Sequence, residues 1–274
     1  MFNLTRHFFW FKQLKKDFLI DYSYKVTFFG QFFGIILTTI SFYFISKTFI
    51  NTKSEHLEPF NYDYFVFATI GIAILDIVIS IMRSLTLSLR EAQSFGYVEI
   101  LFISRIKPVY VFLCSAFYPF IKGIIKFILY ILLIQLMSDH SFAFSSIIIS
   151  LFLFIIMLIP FLALSFLSLS FVLYFKQSDP INFFINTLVS IFAGIIYPVS
   201  VLPVFMQKIS NLIPLTQQLN SARELIINNT LNAYMLSNLF FIHLSFSIFF
   251  LILSMHIFNV TIYAVKKKGT IGTY

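Results

Sequence analysis

The sequence predicts an all-α integral membrane protein. It should have six transmembrane helices, an N-terminal interfacial amphipathic helix, and re-entrant half-helices between spans five and six. Three observations carry this expectation. Of 274 residues, 59% are hydrophobic and only 11% charged, against about 25% charged in soluble domains; with a mean hydropathy of +0.92 this excludes a water-soluble enzyme. Apolar stretches of the roughly 20 residues needed to cross a bilayer recur along the chain. Lys and Arg gather in alternate connections.

Residues 1–25 carry Leu4, Phe8, Phe11, Leu14, Phe18 and Tyr22 at three- to four-residue spacing, with Arg6, Lys12, Lys15 and Lys16 between them. That pattern suits a helix lying in the membrane interface, apolar face down and cations toward anionic headgroups. It lacks the unbroken apolar core and small-residue cleavage site of a signal peptide.

The spans follow at 26–46, 64–82, 109–137, 142–175, 181–203 and 235–265. The second holds Asp76 and the third Lys122 and Lys126. The fourth is too long to be straight, and Pro160 with Ser165, Ser168 and Ser170 predicts a bend. The sixth stops at Lys266, Lys267 and Lys268. If both termini are inside, the inner set is Arg6, Lys12, Lys15, Lys16, Lys25, Arg83, Arg90, Arg105, Lys107, Lys176 and Lys266 to Lys268. The outer set is only Lys47, Lys53, Lys208 and Arg223. Positive loops stay inside, so both termini are expected in the cytoplasm and the chain in the inner membrane. The net charge of +8 is then a topology signal and points to no nucleic acid.

Two connections are longer than turns require. The cytoplasmic one, 83–108, contains Arg90, Glu91, Gly96, Glu99 and Leu101, and Val98, Leu101 and Phe102 share a helical face. A short amphipathic helix there suits docking on another protein or a plain interfacial loop. The outer region, 204–234, follows a break at Gly194, Tyr197, Pro198 and Pro203, is interrupted again at Pro214, and carries Arg223. Proline cannot continue a helix, and irregular backbone at membrane depth must be buried in protein or line a cavity. A gate at the outer face, or a packed cap, would meet that condition.

These two regions resemble the signatures of permease subunits of ABC transporters of the type-2 exporter class. The resemblance covers nearly the whole chain: Glu91, Gly96 and Glu99 in the first region, then Gly194, Tyr197-Pro198, Leu202-Pro203, Pro214-Leu215-Thr216 and Arg223 in the second. Tyr97 and Val98 replace the usual Thr-Leu, and Arg105 stands where proline is common. The resemblance implies a coupling helix within 91–104 that docks on a separate ATP-binding cassette ATPase subunit, and a path formed with a second permease copy. No G-x-x-x-x-G-K-[ST] occurs in the chain, so ATP and magnesium are expected on the partner ATPase and no cofactor or catalytic residue here.

Ionisable residues inside a membrane are costly and mark sites. Asp76 is expected to pair with Lys122, or Asp76, Lys122 and Lys126 face an aqueous cavity and attract an anionic headgroup. Gly30 and Gly34 form a small-xxx-small pair suited to a dimer contact. His7, His56, His140, His243 and His256 show no ligand spacing, and Cys114 stands alone, so no metal is expected. Two alternatives stand beside the exporter: an ion-coupled secondary transporter using Asp76, Lys122 and Lys126, and a non-transporting scaffold. The expected cargo is amphipathic, lipid-linked or drug-like.

Overall fold

A computed structural model describes residues 2–48, 63–138, 142–156, 158–176, 179–228 and 238–269. Residues 229–234 of the expected outer region and 235–237 of the sixth span lie outside them. The described secondary structure is entirely helical.

Helix α1 (Phe2–Ser23) turns at Tyr24 into α2 (Lys25–Thr48). Phe11, Phe18, Leu19 and Tyr22 are exposed along α1, whereas Leu14, expected on the same apolar face, is half-buried. Trp10 packs edge-on against Tyr110 and Phe117, at 5.7 and 5.3 Å between ring centroids. Helix α2 is almost bare: only Ile35 and Thr39 are buried.

The central element is α3 (Tyr64–Ser94), 31 residues long and hence about 46 Å at 1.5 Å per residue. The Asp63 carboxylate caps it by accepting from the Val66 amide at 3.1 Å, which satisfies one of the orphan donors of the first turn. Along one face Ile70, Ile74 and Ile77 pack with Phe127, Ile131 and Leu219. Further along, Leu85, Leu89 and Ala92 pack with Phe112, Phe166 and Phe258.

The helix overruns the expected end of span two and corrects the reading of the loop. Arg90 and Glu91 lie within α3, four and three residues before its end at Ser94. Gly96, at φ 72°, makes the left-handed turn that a side chain would strain, and a separate six-residue helix α4 (Val98–Ile103) follows. Val98 and Phe102 turn inward to the core, whereas Ile100 and Ile103 are 71% and 80% exposed. The outward face is therefore Ile100 and Ile103, not Val98, Leu101 and Phe102.

Span three is two helices, α5 (Pro108–Ser115) and α6 (Phe117–Met137). Pro119 has no N–H to give the Ser115 carbonyl, and the ladder breaks there. Pro160 acts similarly between α7 (Phe144–Ile156) and α8 (Ile159–Phe175), where the bend was expected. The Ser165 hydroxyl donates to the Met82 carbonyl at 2.8 Å and ties α8 to α3. Asp179 caps α9 (Pro180–Phe192), accepting from the Asn182 amide at 3.1 Å. A 3-10 turn (Val199–Val201), α10 (Val204–Leu212) and α11 (Pro214–Asn228) lead to α12 (Asn238–Lys267), which packs along α8.

Among the described residues, four helical stretches are long and apolar enough to cross a membrane: Lys25–Thr48, Tyr64–Ser94, Pro108–Met137 (α5 with α6) and Phe240–Lys267. In 142–175 and 181–203 the chain forms shorter apolar helices, α7, α8 and α9, of 13, 17 and 13 residues. Lys266 donates to the Phe102 carbonyl at 2.9 Å, Lys268 to the Tyr174 hydroxyl at 3.0 Å, and Lys16 lies 5.9 Å from the Tyr97 ring centre. So α1, α4 and the ends of α3, α8 and α12 gather at one end of the bundle.

Candidate functional site

Three polar stripes at helical spacing converge on one cleft. From α1 and α2 come Asp17, Asp21, Tyr24, Thr27 and Gln31; from α3, Asp76, Ser80, Arg83, Ser84, Ser88 and Glu91; from α5 and α6, Ser115, Tyr118, Lys122 and Lys126. Each repeats every three or four positions, so each lies on one face of its helix. The cleft they line is about 550 Å³.

Lys126 donates to Asp76 Oδ2 at 3.0 Å. Lys122 does not pair with Asp76, as expected from the sequence, but with Asp21 of α1, whose Oδ2 also accepts from the Tyr118 hydroxyl. The antiparallel run of α3 and α6 explains the exchange. Asp76 lies 15 residues, or about 22 Å, from Glu91 at the α4 end of α3, and so meets the lysine farther along α6. Lys122 is one turn nearer α4, level with the end of α1. Its ammonium also lies 5.6 and 5.8 Å from the Phe28 and Tyr118 ring centres.

Closer to α4, Asp17 accepts from Lys16 at 3.1 Å and from the Gln13 amide at 3.1 and 3.2 Å. Burial pushes the Asp17 carboxyl above the ordinary aspartate value, more than Lys16 pulls it down. Burial also pulls at the Lys16 ammonium, but there Asp17 and weaker anionic neighbours win, and its pKa rises. The asymmetry follows exposure: the Asp17 side chain is 13% exposed and that of Lys16 37%, so desolvation falls harder on the acid. Arg83 and Glu91 also face the cleft. Neither side chain makes a hydrogen bond or a close ion pair to a described residue.

No family model matches this chain, and no curated protein emerges as a relative. The functional reading therefore rests on the chemistry of the chain itself.

At the other end of α3 the structure brings two expected gate residues together. Arg223 of α11 is fully buried and donates to the carbonyls of Gly194 at 2.8 Å, Ile195 at 2.7 Å and Phe67 at 3.1 Å. Its guanidinium carbon lies 3.6 Å over the Phe67 ring. Gly194, at φ 70°, breaks the chain just past α9 and presents carbonyls that a helix leaves unpaired; a planar cation with five donors suits them. Gly71, not anticipated from the sequence, faces this cluster: a Cβ there would come closer than 3.0 Å to Arg223 Nη2 and the Ile195 carbonyl.

The remaining predicted gate residues shape the break. The Tyr197 hydroxyl donates to the Ile191 carbonyl. Pro198 precedes the 3-10 turn, Pro203 precedes α10, and Pro214 is the first residue of α11. Gly96, Glu99 and Leu101 lie at the opposite end of the bundle from this cluster, joined to it by α3.

A second cavity of about 270 Å³ is wholly different in character. Trp10, Ile81, Leu113, Phe117, Phe120 and Leu162 are among its apolar lining.

Proposed function

We propose that this chain is the membrane-spanning permease subunit of an ATP-driven exporter of the type-2 ABC class. It works as a dimer in the inner membrane with both termini cytoplasmic, and a separate ATP-binding cassette subunit supplies the hydrolysis. In this reading α7 with α8 makes the bent fourth span and α9 with the break after it the fifth. The pieces α10 and α11 are re-entrant, and α12 is the sixth span.

The observation that supports the reading is α4. Its Ile100 and Ile103, 71% and 80% exposed, project beyond the end of the central helix. Phe95 stands beside them, with Glu99 and Arg105 also exposed. Apolar anchors inside a charged rim suit a groove on a partner protein. Val98 and Phe102 root the same six residues in the core, so a push on α4 is felt by α3. About 36 Å away along that helix, Arg223 ties α3 to the break after α9. Closure of the ATPase would thus reach the outer cluster through one rigid element. Gly30 and Gly34 have no atom within 4 Å of their would-be Cβ positions, which leaves that face of α2 open to a second copy.

The test is affinity purification from the native membrane. An ATPase subunit should co-purify with the wild-type chain and be lost from the Ile100→Glu/Ile103→Glu double variant, whose helix content should be unchanged because both side chains are exposed. Purification of the wild type with no ATPase, under conditions that preserve membrane complexes, would overturn the reading.

A further inference from the structure

The charges in the cleft are not arranged for a simple ion. Four carboxylates line it, Asp17, Asp21, Asp76 and Glu91, together with three cations, Arg83, Lys122 and Lys126. A purely anionic headgroup would face all four acids, and a purely cationic one the three bases. The two whose side chains make no hydrogen bond or close ion pair with a described residue are of opposite sign and sit on one helix; Lys16 acts on Glu91 only at longer range. Arg83 and Glu91 are eight residues apart on α3, about 12 Å, with Arg83 the farther from α4.

The structure points to a specific occupant: we propose that the cleft binds the headgroup of an aminophospholipid, a phosphodiester carrying a primary ammonium. The guanidinium of Arg83 matches phosphate oxygens as a two-pronged donor. Lys122 and Lys126 sit deeper, each donating to one carboxylate oxygen of the described residues while an ammonium carries three N–H groups. The ammonium is taken by Glu91 and by Asp17 nearer the α4 end. In a lipid of the leaflet at that end, phosphate lies next to the glycerol and amine outermost, which is the order of Arg83 and Glu91. Leu87, 54% exposed, with Ile20 and Ile79 supplies apolar wall. The volume of about 550 Å³ falls in the range of roughly 300–1,000 Å³ usual for small-ligand sites. A trimethylammonium headgroup cannot donate hydrogen bonds to Glu91, and a glycerol headgroup brings it no charge.

This inference deepens the permease reading by naming what its inner vestibule takes. It rests on that reading only for the direction of transport, because binding needs no ATPase. The experiment uses the full chain reconstituted in nanodiscs of equal phosphatidylethanolamine, phosphatidylglycerol and phosphatidylcholine. Detergent extraction follows, and mass spectrometry reads the retained lipid.

Phosphatidylethanolamine should be retained about tenfold over the other two, the effect of one charged hydrogen bond. Glu91→Gln should erase its advantage over phosphatidylcholine. Arg83→Gln should lower retention of all three, and Arg83→Lys should restore part of it, which separates lost binding from lost folding. Helix content by circular dichroism checks each variant. Retention of the three lipids in the proportions supplied, or the same preference in Glu91→Gln and Arg83→Gln as in wild type, overturns the proposal. Displacement of the retained lipid by millimolar phosphoethanolamine but not by inorganic phosphate supports recognition of the whole headgroup. Displacement by inorganic phosphate alone shows an anion site and overturns the aminophospholipid. An ATPase that co-purifies with a chain showing no lipid preference leaves the permease reading standing while this inference fails, and the converse result does the reverse.

Discussion

Lys122 on α6 is bound by Asp21 on α1, across 101 positions of sequence. Helix α1 is therefore fastened to α6 by an ion pair at the edge of the cleft. Tyr118 shares the same carboxylate oxygen, and the two side chains of the pair are 14% and 20% exposed.

If this pair fastens α1, Lys122→Gln and Asp21→Asn should each destabilise the protein by about 1–3 kcal/mol, the usual cost of leaving a mostly buried charged group without its partner. Thermal unfolding in detergent measures it. The double variant should lose less than the sum, and hydrogen exchange should rise in α1 before it rises in α3. Additive losses would mean that the two residues do not interact.

Gly71→Ala tests the clamp at the far end of α3. Its Cβ would meet the Ile195 carbonyl, part of the backbone, closer than 3.0 Å, so the cost should be about 1–3 kcal/mol of stability, as for other overpacked sites. Gly123→Ala is the matched control. There the nearest atom is the Ile77 Cγ1 at 3.2 Å, a side-chain atom that can yield, and the melting temperature should fall less.

Arg223→Met should be more damaging than either glycine change, since it leaves the Gly194, Ile195 and Phe67 carbonyls short of a donor in the interior. A loss of about 3 kcal/mol or more is expected for breaking a buried network of this kind. Arg223→Lys should recover little of it, because one ammonium cannot span three carbonyls that the guanidinium fork reaches together. Full recovery in the lysine variant would show that charge alone is needed.

Acidity provides a fourth test, at Asp17. Its folded pKa lies above the ordinary aspartate value, so its contribution to stability is greatest in acid and is lost as pH rises through the folded value. Lys16 has the same sign in a higher pH range: its contribution is present below the ordinary lysine value and is lost as pH rises through the elevated one. Isotope-edited infrared spectroscopy should show an aspartic acid band persisting above the pH at which free aspartate ionises, and Asp17→Asn should remove it. A band that titrates at the ordinary value would rule out the desolvated setting.

Much of the architecture was legible in the sequence because the bilayer imposes a length rule. The apolar runs at 26–46, 64–82 and 109–137 fall within helices long enough to cross, and Pro160 marked a real break between α7 and α8. The end of α3 was not legible, since nothing in Arg83 to Ser94 stops a helix until Gly96. The inward turn of Val98 and Phe102 was missed because a six-residue amphipathic helix can bury either face, and only the neighbouring Phe112 and Val265 decide which. Asp21 was overlooked among the basic residues of α1, although Asp17 and Asp21 stand one turn apart in a chain with 11 acids. That spacing was the available signal. The stripe Asp76, Ser80, Arg83, Ser84 and Glu91 was also present in the sequence but crossed the expected border of the second span, and so was divided between a crossing and a loop.

The bareness of α2 carries a consequence for how the protein is put together. With only Ile35 and Thr39 buried, this wall of the cleft is held against α3 and α6 by a few side chains, Ile35, Phe42 and Tyr43, and at its foot α1 adds the Asp21 ion pair. The purchase of α2 on the bundle is therefore local, through Ile35 in the core and Phe42 and Tyr43 packed against it, while the opposite wall of the cleft is fixed by the buried Ser84, Ser115 and Lys126.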